Sequence, residues 1–156
     1  WVFKQRAIYK LTRTGIRTNA YESEKYTDAV GAIHGSVFSG IDEAGQPCIY
    51  FLDFEAGPCR IGQGGIKRCG EDIRTTWAGM NVNATAVVTS SLYYPKKKQA
   101  IWCIATGSSN IPDTAIVLHV DKCRTFADGV RKGWVTWNND RAEALTMCLF
   151  LLCIRL

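Results

Sequence analysis

The chain has 156 residues, 47% of them hydrophobic and 21% charged, which is apolar enough to build a core and too apolar for a disordered segment. Its net charge of +5 is a mild basic excess, concentrated in part in Lys96-Lys97-Lys98 after Pro95. Such a run reads as a solvated hairpin tip, because nucleic-acid surfaces spread their cations over a face, and the longest apolar run, Leu145 to Ile154, is about half of the ~20 residues that cross a bilayer.

In chain order, Trp1-Val2-Phe3 and Ala7-Ile8-Tyr9-Lys10-Leu11 predict two strands, followed by Gly15-Ile16-Arg17. Tyr21 to Gly31 has the best helical spacing of the first third. Gly35 to Gly40, Ile49-Tyr50-Phe51-Leu52 and Cys59-Arg60-Ile61 then predict strands, and Gly65-Ile66-Lys67 and Thr76-Trp77 follow. The β-branched run Ala86-Val87-Val88-Thr89 reads as a strand, as do Ser90 to Tyr94 and Ile101-Trp102-Cys103-Ile104. A turn cluster, Ser108 to Asp113, separates these from the strand Thr114 to Val120. Gly129-Val130-Arg131 and Thr136-Trp137 come next, with a helical turn or two over Asp140 to Met147 and an apolar strand over Met147 to Leu151.

These elements repeat. A Gly, a β-branched residue and a cation recur at Gly15, Gly65 and Gly129, each after two strands, and Trp77 and Trp137 follow the second and third copies at matching places. The intervals are 50 and 64 residues, and the longer one carries the insertion around Ser108 to Asp113. A fixed order of strands at this period indicates a repeat architecture in which each unit buries its faces against its neighbours. The repeated glycines fit positions that need positive φ or close backbone approach, and the repeated tryptophans fit seals between units. Arg17, Lys67 and Arg131 read as solvated strand edges. Trp134 has no partner in the other copies, which makes it the aromatic to suspect of ligand recognition at the surface.

Little else points to chemistry. Seven cysteines at irregular gaps, without Cys-x-x-Cys, signal neither a zinc site nor a disulfide framework; Cys103 and Cys148, inside apolar runs, read as buried thiols of a reducing compartment or particle interior. His34 and His119 lie in separate copies, and Asp53, Glu55, Asp113 and Asp121 have no spacing that singles out a catalytic pair. No catalytic residue, metal site or cofactor is expected. Gly62-Gln63-Gly64-Gly65 reads as a tight turn, and the triplet Asn83-Ala84-Thr85 carries little weight as a glycosylation signal.

The run from Gln99 through Asn110, continuing past Pro112 to Ile116-Val117-Leu118, resembles the strand, polar turn and strand of β-propeller blades, and more loosely the repeat proteins of tailed bacteriophages. Gly70 to Trp77 is similar to the Asp-box of sialidase-like propellers at Asp72, Thr76 and Trp77, but has Gly70 and Arg74 where that motif has Ser and Gly. The resemblance implies an all-β fold of about three partial four-stranded antiparallel blades in an incomplete ring: a partial blade over 1–40, a blade over 41–94, and a blade with the start of the next over 95–151. Trp1 in place of Met and the apolar run to Leu156 read as a piece of a longer protein. The expected function is a non-catalytic interaction or structural module, such as a virion or tail component, whose partners are other blades or proteins. The alternative is a carbohydrate-binding or glycoside-processing propeller with a glycan partner. Neither a membrane nor nucleic acid is among the expected partners.

Overall fold

The computed structural model describes residues 1–126 and 129–138. Within them lie three antiparallel sheets, each a meander in which strands adjacent in sequence are adjacent in space. The first holds β1 (Val2–Lys4), β2 (Ala7–Arg13) and β3 (Tyr21–Thr27). The second holds β4 (Phe38–Ile41), β5 (Pro47–Asp53), β6 (Gly57–Gly62) and β7 (Gly65–Arg68). The third holds β8 (Ser90–Tyr94), β9 (Gln99–Ile104), β10 (Thr114–Phe126) and β11 (Gly129–Asn138). The chain is thus mostly β, as its β-branched and aromatic runs require. After each connection the next strand pairs forward, β4 with β5 and β8 with β9, so the hydrogen-bonded units span 2–27, 38–68 and 90–138.

Alternation along the strands decides how the sheets stack. On β5, Tyr50 and Leu52 point one way and join Trp102, Ile104, Ile116 and Leu118 of the third sheet in one core. Phe51 points the other way and joins Cys59, Ile61 and, from the first sheet, Ile8 in a second core. A sheet buried on both faces reads as a continuous apolar run instead of an alternating one, which is what Ile49-Tyr50-Phe51-Leu52 and Ile101-Trp102-Cys103-Ile104 are. The second and third sheets superpose in order: β4 lies beside β8, and β11 lies beside the 3-10 turn Glu71–Ile73 that follows β7.

The connections differ from the sequence expectation in two places. Tyr21–Thr27 is strand β3, not helix, because pairing of Tyr21, Glu22, Ser23, Glu24 and Lys25 with β2 outweighs their helical spacing. The run 86–89 belongs not to a strand but to the end of helix α2 (Val82–Val88) and its C-cap; Asn81 caps the helix by accepting from the Ala84 amide at 3.3 Å. A shorter helix, α1 (Arg74–Ala78), precedes it. The extra length of the third unit therefore lies in 69–89 as well as in the loop 105–113. The helical turns at Asp140–Met147 and the strand at Met147–Leu151 fall outside the described residues.

The repeated glycines sit in the turn before the last strand of each unit. Gly65 closes the β6–β7 hairpin at φ +80°, Gly15 opens the β2–β3 connection at φ +76°, and Gly129 begins β11 opposite Phe126. The residue after the glycine behaves differently in the first two copies: Ile66 packs on the second core, whereas Ile16 is exposed. Trp77 and Trp137 are not structural equivalents. β7 ends at Arg68, so Trp77 falls in α1, while the longer β11 carries Trp137 as a strand residue packed on Ile101, Cys103, Ala115 and Val117. Trp77 lies on the turn before β6; a Cβ on Gly57, whose φ is +69°, would come within 2.6 Å of its ring.

Trp102 is the largest fully buried side chain. Its ring meets Phe38, Tyr50 and Trp134 at centroid distances of 5.2, 6.0 and 6.1 Å, and its indole donates to the Ser36 carbonyl at 3.1 Å. Removing it leaves a cavity shared by two sheets and an unpaired Ser36 carbonyl. Trp102→Ala is expected to lower the free energy of unfolding by about 3–5 kcal/mol, measured by urea denaturation, whereas Ile111→Ala, at a loop side chain 56% exposed, changes it by less than about 0.5 kcal/mol.

Candidate functional site

One edge of the stack gathers the β1–β2, β5–β6 and β9–β10 turns together with the connections that pass from sheet to sheet. The connection 28–37 is stitched to both sheets it joins: the Ala32 amide donates to Lys4 O at 2.9 Å and the Ile33 amide to Leu52 O at 2.8 Å. Asp53, buried at the end of β5, fixes the crossing. Its Oδ2 accepts from the Gly31 amide at 2.8 Å, and its Oδ1 accepts from the Glu55 and Ala56 amides at 2.8 and 2.6 Å.

The third sheet repeats the device. Asp113 Oδ1 accepts from the Thr106 amide at 2.8 Å and its Oδ2 from the Thr106 hydroxyl at 2.9 Å, closing the loop 105–113. The Asn81 amide donates to Ala105 O at 2.8 Å and the Gly107 amide to Gly79 O at 2.9 Å, so α2 is anchored on that loop. Buried Thr85 both donates to Ala105 O and accepts from the Ala105 amide, each at 3.2 Å.

Two adjoining depressions of about 380 and 400 Å³ open on this edge and share Gln5 and Phe54. One is lined by Phe3, Ile33, His34 and Val37, the other by Arg6, Asp28, Glu55 and Val82. Together they form a groove with an apolar floor and a rim that carries both signs of charge. His34 is an exposed residue of the connection on this rim. The groove itself escaped the sequence reading because its residues come from four separate segments. The available signal was that Gln5-Arg6 and Phe54-Glu55 occupy the same turn in successive units.

The remaining residues singled out from sequence are dispersed. Trp134 is not an open platform: its ring packs on Trp102, and its indole donates to Cys69 O at 3.0 Å. Trp77 does the same one residue along, donating to Gly70 O at 3.2 Å, so two tryptophans cap consecutive carbonyls between the second and third sheets. The stretch that resembles an Asp-box, Gly70 to Trp77, forms a 3-10 turn and α1, not the turn of a hairpin. Lys96, Lys97 and Lys98 do form an exposed tip, between β8 and β9, with Lys98 at φ 48°. Thr85 of the glycosylation triplet is fully buried. Cys48, Cys59, Cys69 and Cys103 are buried in or beside the sheets, and burial pushes the Cys48 thiol and the Tyr50 hydroxyl above their ordinary pKa values.

Buried Arg60 on β6 was not singled out. Its Nη2 donates to Glu43 Oε1 at 2.7 Å, and its Nη1 is in ion-pair range of Asp42 and Glu43 at 3.2 and 2.5 Å, off the hydrogen-bond axis. The pair clamps the β4–β5 turn. Among the described residues no group of His, Cys, Asp and Glu is arranged to hold a metal ion, and no helix is long and apolar enough to cross a membrane.

No known protein family matches the chain, and neither the curated proteins nor the solved structures compared with it show significant similarity.

Two measurements follow, one at this edge and one at the opposite end of the third sheet. Asp53→Ala strands the Gly31, Glu55 and Ala56 amides and is expected to cost about 2–3 kcal/mol in urea denaturation. His119 on β10 lies 3.0 Å from Gln99 Nε2; burial, with Lys122 and Lys97 and against the opposing pull of Asp121, holds its pKa below the ordinary 6.5. Folding therefore favours the neutral ring, and that contribution is full above pH 6.5 and is lost as pH falls through the lower folded-state value. His119→Gln is expected to flatten the fall in stability between pH 7 and pH 5, followed by denaturation at each pH.

Proposed function

We propose that this chain is a non-catalytic interaction module built from propeller-type blades in an open arc, which binds a partner segment in the groove at its loop edge. The observation that carries the reading is the superposition of consecutive four-stranded meanders, first strand beside first strand, with their connections collected on one edge. Sheets stacked in this way form a rigid frame, and loops on a rigid frame are the usual carriers of recognition. Of the carboxylates that line the groove, Asp53 is engaged by the Gly31, Glu55 and Ala56 amides and Asp28 pairs with Lys25, which supports binding over acid–base chemistry. The mixed apolar floor and two-signed rim suit an extended peptide segment better than a sugar, and Trp134, the aromatic first suspected of recognition at the surface, is packed on Trp102.

The test is selection of a displayed-peptide library on the folded chain, in parallel with a glycan array and a panel of chromogenic glycosides. Peptides are expected to be enriched and to lose at least tenfold in affinity, about 1.4 kcal/mol, on Val37→Asp and Val82→Asp, one in each half of the groove. Both residues are partly exposed, at 38% and 42%, so the fold survives the change. Specific glycan binding or glycoside turnover, with no peptide enriched, would overturn the proposal in favour of the carbohydrate-active reading.

A further inference from the structure

The face of the first sheet that turns away from the second has a chemistry unlike its counterparts. Phe3 and Ile8 pack toward the second sheet; by alternation and register, Lys4, Tyr9 and Arg13 lie on the opposite face together with Tyr21 and Lys25 of β3. The faces of the same orientation in the later sheets carry Phe51 and Ile61, or Trp102 and Ile104, all buried. Where those sheets place apolar groups for a neighbouring sheet, the first sheet places cations and tyrosines around Val2 and Leu11.

Their arrangement is ordered. Tyr9 lies across from Lys25 and Arg13 across from Tyr21, with Leu11 and Ser23 paired between them. Each ring therefore has a cation opposite it, and the Lys4 ammonium sits over the Tyr9 ring, 4.9 Å from its centroid. Tyr21 is 60% exposed and Leu11 40%. The carboxylates of β3 are kept off this face: Glu22 and Glu24 pair with Thr12 and Lys10 on the other side. Asp28 meets Lys25 at 3.3 Å, but both are largely exposed, and such pairs hold a lysine weakly. The two rings are separated by four residues along β2, roughly 13 Å, more than one nucleotide step, so they would take non-adjacent bases of one strand while its backbone runs past the cations.

We propose that this face binds single-stranded nucleic acid, with bases stacking on Tyr9 and Tyr21 and phosphates lying against Lys4, Arg13 and Lys25. Charge complementarity sets the sign of the ligand, and the ring opposite each cation sets its class, because bases supply π-faces that an acidic peptide or sulfated sugar lacks. The proposal is independent of the loop-edge groove. It also differs from the sequence expectation, which weighed only the Lys96–Lys98 tip; the spread of cations over a face appears only when β2 and β3 are paired.

Fluorescence anisotropy of end-labelled twelve-residue oligothymidylate and oligouridylate tests it. Tyr9→Ala and Tyr21→Ala are each expected to weaken binding about tenfold, and Tyr9→Phe by less than about twofold. The plot of log affinity against log salt should have a slope near −2 for three phosphates, made shallower by Arg13→Gln. The double substitution Lys96→Gln, Lys97→Gln should leave the affinity within about twofold, and thermal melts establish that each variant is folded. Three results would overturn the proposal: no binding by the folded chain, binding that heparin competes equally well and the tyrosine substitutions leave unchanged, or a dimer in light scattering that Tyr21→Ala dissolves.

Discussion

The contact on which the structure depends is the seat of Trp102 between the second and third sheets. A β-meander of three or four strands has two faces and can bury neither alone; here one indole from β9 fills the space between two meanders and hydrogen-bonds the connection that arrives from the first. Ser36, which receives that bond on its carbonyl, turns its hydroxyl to Ile33 O at 2.7 Å and accepts from the Leu52 amide at 3.1 Å. Three segments distant in sequence are thereby held at one point, and the aromatic contacts of Phe38, Tyr50 and Trp134 extend it across the interface.

Stacking on this contact determines what the surfaces can do. The connections cross where the sheets meet, so their polar backbone must be satisfied at that edge, and Asp53 and Asp113 do so in matching turns. Grooves form between connections anchored in this way because the anchors are rigid and the spaces between them are not filled. Away from the interface the first sheet faces solvent, and there the strand code of apolar groups gives way to tyrosines and cations.

Much of this was legible from residues alone, and the reasons are local. Apolar runs such as Ile49 to Leu52 and Ile101 to Ile104 announce strands buried on both faces, and glycines recurring before a β-branched residue mark the turns they occupy at Gly15 and Gly65. Where the reading departed from the structure, a longer-range partner decided the outcome. Val87 and Val88 favour strands, yet the Asn81 cap and the bonds of Thr85 to Ala105 set a helix there. The spacing of Tyr21 to Gly31 suits a helix, yet β2 offers a pairing edge. Trp134 looked unpaired because its partners, Trp102 and Cys69, are remote in sequence. The groove and the basic face were hidden for the same reason: each is assembled from turns or strands that become neighbours only after pairing.

Native-state amide hydrogen exchange tests the shared interface most directly. If the second and third sheets form one cooperative unit around Trp102, the slowest amides will lie in β5, β9 and β10, and Trp102→Phe will lower their protection together and by the same amount. Loss of protection confined to β9 and β10, with β5 unchanged, would show that the sheets are stable independently and would contradict the account.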